Sequence, residues 1–362
     1  MSIRIPRRSS YPVAFPPPSQ GQVEFEVHES EVLRGNPAGD PYQREIAVYR
    51  SPGSNEGVPL LVLLAGFTGS GTSYFPVRSG YLQESFAQRF ERLSRQGRLT
   101  PTVVVAPDAT TALGGSQYLN STATGRYEDY IMDEILPWAQ QRYQTDPVGV
   151  LGHSSGGFGA LTLGLRHPDR IRAVLASSPD SAFEFCYLSD IPKAIRVLRE
   201  MGGPEAFLDH LFRHPTPNLS PTHPFGITLN LLAMAACYSP VPQAPGEFEL
   251  PFDWDTGEIR SEIWSRWIAL DPAEIVRTPE AQEALASMRG LWVGAGTEDE
   301  WFLDVGVRRV ASRLGSAQRI PLHTHFFRGG HFDAWPQMVE ECLPEMVRAL
   351  SQNGDAEVRK RA

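Results

Sequence analysis

Residues 148–166 read VGVLGHSSGGFGALTLGLR, and no other stretch constrains the fold of this chain so tightly. The opening VGVLG is a short apolar run, as expected of a strand buried on both faces. Phe158, Leu161 and Leu165 then recur at helical spacing, and His167-Pro168 stops that helix. A buried strand must therefore turn into a helix within a few residues. Gly152-His153-Ser154-Ser155-Gly156 fits the pattern Gly-x-Ser-x-Gly, in which only glycine fits two residues either side of a central serine. The pattern selects Ser154, not Ser155, as the hydroxyl lifted above the sheet edge. The bland alternative is a glycine-rich turn with an idle serine, so the flanking sequence has to decide.

Similar apolar runs recur along the chain: PLLVLLAG (59–66), TVVVAP (102–107), RAVLAS (172–177), LWVGAG (291–296) and LHTHFF (322–327). From Gly21, VEFEVH and REIAVYR alternate in the manner of antiparallel strands. Between the runs, Tyr127, Ile131, Ile135 and Trp138 make one apolar helix face, which Pro137 is expected to kink. Strands alternating with helices predict an α/β fold with a mainly parallel central sheet flanked by helices. Residues of about 181–288 break that rhythm: they are proline-rich and carry Phe248, Phe252, Trp254, Trp264 and Trp267. The expected organisation is a Pro-rich tail at 1–19, one domain at 20–350 with a cap-like insertion at about 181–288, and a charged tail at 351–362.

A serine hydroxyl is a poor nucleophile near neutral pH and needs a base. In sheets of this kind the chain order is serine, acid, histidine. His331 follows Arg328-Gly329-Gly330 just past the last predicted strand, where a base must stand. His323 and His325 fall inside that strand; as a metal pair they lack a suitably spaced Cys or carboxylate. The acid belongs after the penultimate strand, where GTEDEW offers Glu298, Asp299 and Glu300. Asp299 is the choice, Asp304 the fallback, and the two glutamates read as solvated charges at a helix start. Two backbone N–H donors are expected to form an oxyanion hole: Ser155, directly after the nucleophile, and Phe67, after the strand at 59–66. GFTGSGTSY in that loop lacks the Gly-Lys-Ser/Thr and the Gly-x-Gly-x-x-Gly of phosphate-cradling loops.

Composition narrows the function classes. A net charge of −9 argues against a general binder of nucleic acid or anionic membrane. The basic clusters are terminal, at Arg4, Arg7 and Arg8 and at Arg359, Lys360 and Arg361. Three widely spaced cysteines, Cys186, Cys237 and Cys342, suit neither a disulfide framework nor a zinc site. No signal-peptide core opens the sequence, and no stretch approaches the roughly 18 apolar residues of a membrane span. A cytoplasmic protein is expected, needing no metal or organic cofactor. Only Lys193 and Lys360 among the 33 basic residues are lysine, which fits a GC-rich bacterial genome.

The stretches APDATTALGGSQYLNSTATGRYEDYIMDEILPWAQQRYQTDP, GHSSGGFGALTLGLRHPDR and RGGHFDAW resemble the putative-esterase family of α/β-hydrolases. That family includes S-formylglutathione hydrolases, enterochelin-esterase-like proteins, feruloyl esterases and mycolyltransferases. The similarity runs from about residue 21 to residue 350. It implies an α/β-hydrolase fold, a triad of Ser154, Asp299 and His331, and oxyanion donors at Phe67 and Ser155. It further implies a serine esterase cleaving small-molecule carboxylic esters through an acyl-enzyme. The alternatives are an acyltransferase of the same fold and an inactive binding protein. Ala65 departs from the His or Asp that many members carry there, and the insertion is where members differ most. Substrate therefore does not carry over; the insertion's aromatics form either its own core or, through Trp254 and Trp264, contacts to an apolar or aromatic acyl group.

Overall fold

The computed structural model of the protein describes residues 21–76, 84–214, 220–315 and 321–352. The Pro-rich stretch at 1–19 and the terminal basic clusters lie outside these residues, as does the charged tail beyond 352. Eight strands form the central sheet: β1 (Gln22–Glu29), β2 (Gln43–Arg50), β3 (Leu60–Leu64), β4 (Val103–Pro107), β5 (Val148–His153), β6 (Ala173–Ser177), β7 (Gly290–Gly296) and β8 (Leu322–Phe327). Their order across the sheet is β1-β2-β4-β3-β5-β6-β7-β8. β2 pairs antiparallel with both neighbours, and every other pair is parallel.

Each residue of β3 to β7 is buried, because helices cover both faces. The two-residue period of a strand sends alternate side chains to opposite faces. Leu60, Val62 and Leu64 join the cluster under helices at 127–143, Ser155–Arg166 and Leu303–Leu314. Leu61 and Leu63 join the cluster under Phe86–Arg95, His331–Glu341 and Leu343–Ser351. The helix at 127–143 accommodates Pro137 by widening just before it. Over Tyr130–Ile135 the backbone makes a π-turn, and the Leu136 N–H reaches back five residues to the Ile131 carbonyl. A wider turn moves the preceding carbonyls away from the proline ring, so the expected disturbance takes the form of a π-turn.

After β6 the chain leaves the sheet. Helices Ile191–Met201, Pro204–Arg213, Pro224–Tyr238 and Ser261–Ile268 gather around a third apolar cluster. Pro224–Tyr238 is apolar around most of its circumference and sits at the centre, with Leu231 to Tyr238 all buried. Leu113, Phe158 and Leu303 tie this cluster to the body beneath. The sheet's covering layer resumes at Pro272, where Ala273, Val276 and Leu285 pack into the first sheet cluster. Among the described residues no helix is long and apolar enough to cross a membrane.

Candidate active site

The turn after β5 holds Ser154 at φ 60° and ψ −127°, between the strand and helix Ser155–Arg166. A non-glycine residue in that region is strained and is held there by its surroundings. The Ser154 N–H donates to the Ser177 carbonyl at 2.9 Å, which anchors the turn to the end of β6. The flanking glycines are required by close approach. A Cβ on Gly152 would meet the Gly156 carbonyl oxygen at 2.3 Å, and one on Gly156 would meet that of Leu64 at 2.1 Å.

The loops after β7 and β8 are stitched together. The Thr297 N–H donates to the Phe327 carbonyl (2.7 Å) and the Glu298 N–H to that of Gly329 (2.9 Å). This brings Asp299 to His331, with Oδ2 2.8 Å from Nδ1. Asp299 is 5% exposed and His331 3%. The other carboxylate oxygen, Oδ1, accepts the Trp301 N–H at 3.0 Å, so the acid is fixed from both sides. His331 opens helix His331–Glu341, and its backbone N–H donates to Glu300 Oε2 at 2.7 Å. Glu300 is exposed, yet it secures the base's backbone and is more than a solvated charge. Asp304 lies in the first turn of the next helix, within ion-pair reach of Arg308.

Ser154 and His331 face one cavity of about 100 Å³, together with Phe67 and Ser155. Gly66 lies against the serine: a Cβ there would sit 3.4 Å from Ser154 Cβ. The Thr68 and Gly69 N–H groups are engaged, with the Gly114 and Gly66 carbonyls, whereas that of Phe67 makes no hydrogen bond to the described residues. The Ser155 N–H belongs to the first turn of its helix, where amide donors lack intrahelical partners.

Several cavity walls were not singled out from the sequence. The Trp301 ring stands 4.8 Å from that of His331, edge on, and Phe332 5.0 Å away. Phe332 follows His331 directly and Trp301 lies two residues past Asp299, and that nearness was the available signal. His153, the variable residue of the serine motif, lies 4.4 Å from the His331 ring. Burial first, then the neighbouring His331, pushes the His153 imidazole well below its ordinary range, so it stays uncharged. Asp180, three residues past β6, also lines the cavity, and burial raises its carboxyl above the usual range.

Trp254 and Trp264 do not line the cavity. Both pack, half-buried, on the apolar cluster of the cap: Trp254 lies over Gly203, and Trp264 is 5.8 Å from Trp267. The expectation that they contact substrate therefore finds no support in the geometry, since four helices need an aromatic core of their own. The insertion reaches the cavity through Cys186, Tyr187, Asp190, Pro221, Gly226, Ile227 and Asn230 instead. His323 and His325 sit in β8, stacked on Trp292 and Phe327.

Residues 42–337 match the family described as putative esterase. S-formylglutathione hydrolase of Mus musculus is 29% identical over 155 residues, which cover 37% of this chain and 50% of that one. The chain thus spans about half the length of this curated relative. Two solved structures share the fold across nearly the whole molecule. A ferulic acid esterase has a TM-score of 0.56 at 19% identity, covering 92% of this chain and 99% of that one. An S-formylglutathione hydrolase from Agrobacterium tumefaciens has a TM-score of 0.53 at 16% identity, covering 94% and 99%. The eight-stranded sheet, the serine turn after β5 and the match across 42–337 agree: the chain belongs to the putative-esterase family and has the α/β-hydrolase fold.

Proposed function

We propose that the protein is a serine hydrolase that cleaves small-molecule carboxylic esters through an acyl-enzyme on Ser154. The observation that carries this reading is the buried Asp299–His331 pair, 2.8 Å apart, on the cavity that the strained Ser154 turn also faces. With Nδ1 held by the carboxylate, the imidazole keeps its proton there and leaves Nε2 to accept one. Ser154 Oγ attacks the ester carbonyl while His331 Nε2 takes the hydroxyl proton. Asp299 stabilises the imidazolium that forms. Negative charge develops on the carbonyl oxygen, and the Phe67 and Ser155 N–H groups stabilise it. The imidazolium then protonates the departing alcohol, leaving the acyl group on Ser154. Water, deprotonated by the same imidazole, attacks the acyl carbonyl, and the acid leaves.

A fluorophosphonate probe tests the assignment. Incubation should add one phosphonyl group per chain, on Ser154 by peptide mass spectrometry, and abolish hydrolysis of p-nitrophenyl esters. Hydrolysis that survives full labelling, or a label on another residue, would refute it.

A further inference from the structure

Asp180 is a buried carboxylate beside the nucleophile to which the acyl-transfer steps give no task. It is 7% exposed and forms part of the cavity wall. One of its oxygens is crowded. Oδ2 accepts from Gln117 Nε2 at 2.9 Å, from the Tyr187 hydroxyl at 2.9 Å and from Ser155 Oγ at 3.3 Å. Gln117 also donates to the Tyr238 hydroxyl (2.6 Å), which lies 3.2 Å from that of Tyr187. Gln117 occupies φ 51°, a conformation maintained only where its surroundings enforce it. The network fixes the rotation of the carboxylate.

Oδ1, the other oxygen, accepts nothing from the described residues and is not sealed in the protein, so it faces the cavity. A substrate that fills the cavity strips water from this acceptor, which is costly unless the substrate brings a donor of its own. The charge of the cavity points the same way. Asp190 is a second carboxylate in the wall, 2.8 Å from Lys193, and no lysine or arginine is among the lining residues. Position limits where the substrate carries its donor. Ser155 touches Asp180 through its hydroxyl and supplies its N–H to the oxyanion, so Asp180 stands close to the reacting carbonyl.

We propose that Asp180 is a specificity-determining residue whose Oδ1 accepts a hydrogen bond from a hydroxyl or ammonium on the acyl group, a few bonds from the ester carbonyl. This rests on the reading of Ser154 as nucleophile. A site built to pair a substrate donor rejects the analogue that lacks it, whereas an apolar wall separates the two only weakly.

Three p-nitrophenyl esters of similar size test the proposal: 3-hydroxybutyrate, 3-aminobutyrate and 3-methylbutyrate. The protein should favour at least one of the first two over the third by about tenfold or more in kcat/KM. Which of them is favoured distinguishes hydroxyl from ammonium. Asp180→Asn should bring that ratio to within about threefold of unity, chiefly by raising KM for the donor-bearing ester. Tyr187→Phe, which removes one of the donors fixing the carboxylate, should lower the ratio by a smaller factor and serves if Asp180→Asn does not fold. Equal kcat/KM for all three esters in the unsubstituted protein overturns the proposal. So does a preference that survives Asp180→Asn, or a loss in that variant shared equally by all three, which marks a structural role. If the protein cleaves none of them while Ser154 still takes the fluorophosphonate, this inference alone fails. Without labelling, the esterase reading fails as well.

Discussion

The parallel sheet and the helical cap both bury aromatic side chains, but they follow different rules. In the sheet, alternation along each strand assigns a side chain to one face or the other, so Trp292 and Val293 fall in different clusters. The strand ends then present Ser154, Asp299 and His331 on short loops at one edge. In the cap, helix Pro224–Tyr238 is apolar nearly all round, and Phe207, Phe252 and Trp267 close over it. An aromatic cluster inserted above a nucleophile looks in sequence like a substrate wall. Here Trp254 and Trp264 pack on the cap's own apolar cluster and are not among the residues lining the cavity.

The largest expected effect tests whether the chemistry belongs wholly to the sheet edge. Ser154→Ala should lower kcat by about 10⁴-fold or more, with an unchanged melting temperature. Ser155→Ala should cost less than about tenfold, since the proposed mechanism uses its backbone N–H and not its hydroxyl. Ester-hydrolysis kinetics on both variants decide, and an inactive Ser155→Ala beside an active Ser154→Ala would break the assignment.

The acid comes next. Asp299→Asn should reduce kcat by roughly 10³- to 10⁴-fold, by analogy with the buried acid of other serine triads. Glu300→Gln, which alters a hydrogen bond to the His331 backbone, should stay within about tenfold of the parent. Activity retained in Asp299→Asn but lost in Asp304→Asn would transfer the role to Asp304.

Stability probes the cap. Trp267→Ala empties a fully buried site and should cost about 3–5 kcal/mol in urea unfolding. Trp254→Ala and Trp264→Ala truncate half-buried rings, so they should cost less and leave the order of preferred acyl groups intact. A changed order in either variant would make the cluster a substrate wall after all and erase the contrast between the two regions.

The smallest effect sharpens the sheet side. His153 is buried and uncharged, with its folded pKa depressed by burial and by His331. Below the unfolded value near 6.5 the unfolded chain therefore binds the extra proton, and stability is lost as pH falls through that value. Below about pH 6.5 the protein should lose stability more steeply with falling pH than His153→Gln does. Urea unfolding at pH 7, 6 and 5 measures the difference; parallel acid profiles would show that His153 titrates normally.

Local patterns made much of this protein legible. The apolar runs marked β3 to β8, and alternation marked β1 and β2, because burial on two faces or one leaves a direct trace in side-chain order. Gly152 and Gly156 marked the turn, because a backbone packed within van der Waals reach of another excludes a Cβ. Pro137 announced a disturbed helix, though whether it kinks or widens depends on the packing around it. Tertiary structure alone decided which charges and rings converge. Asp299, chosen in the sequence over its neighbours, turns inward to His331 across 32 residues, but only the fold shows Glu300, read as a solvated charge, holding the base's backbone. Asp180 meets Gln117, Tyr187 and Ser155 because β5 and β6 are neighbours and the cap folds back over both. Trp254, in a turn, and Trp264, on helix Ser261–Ile268, pack on the cap cluster and not on the cavity, which no local pattern distinguishes. A periodicity records only which side of an element is buried; what lies against that side is set by the closure of distant segments.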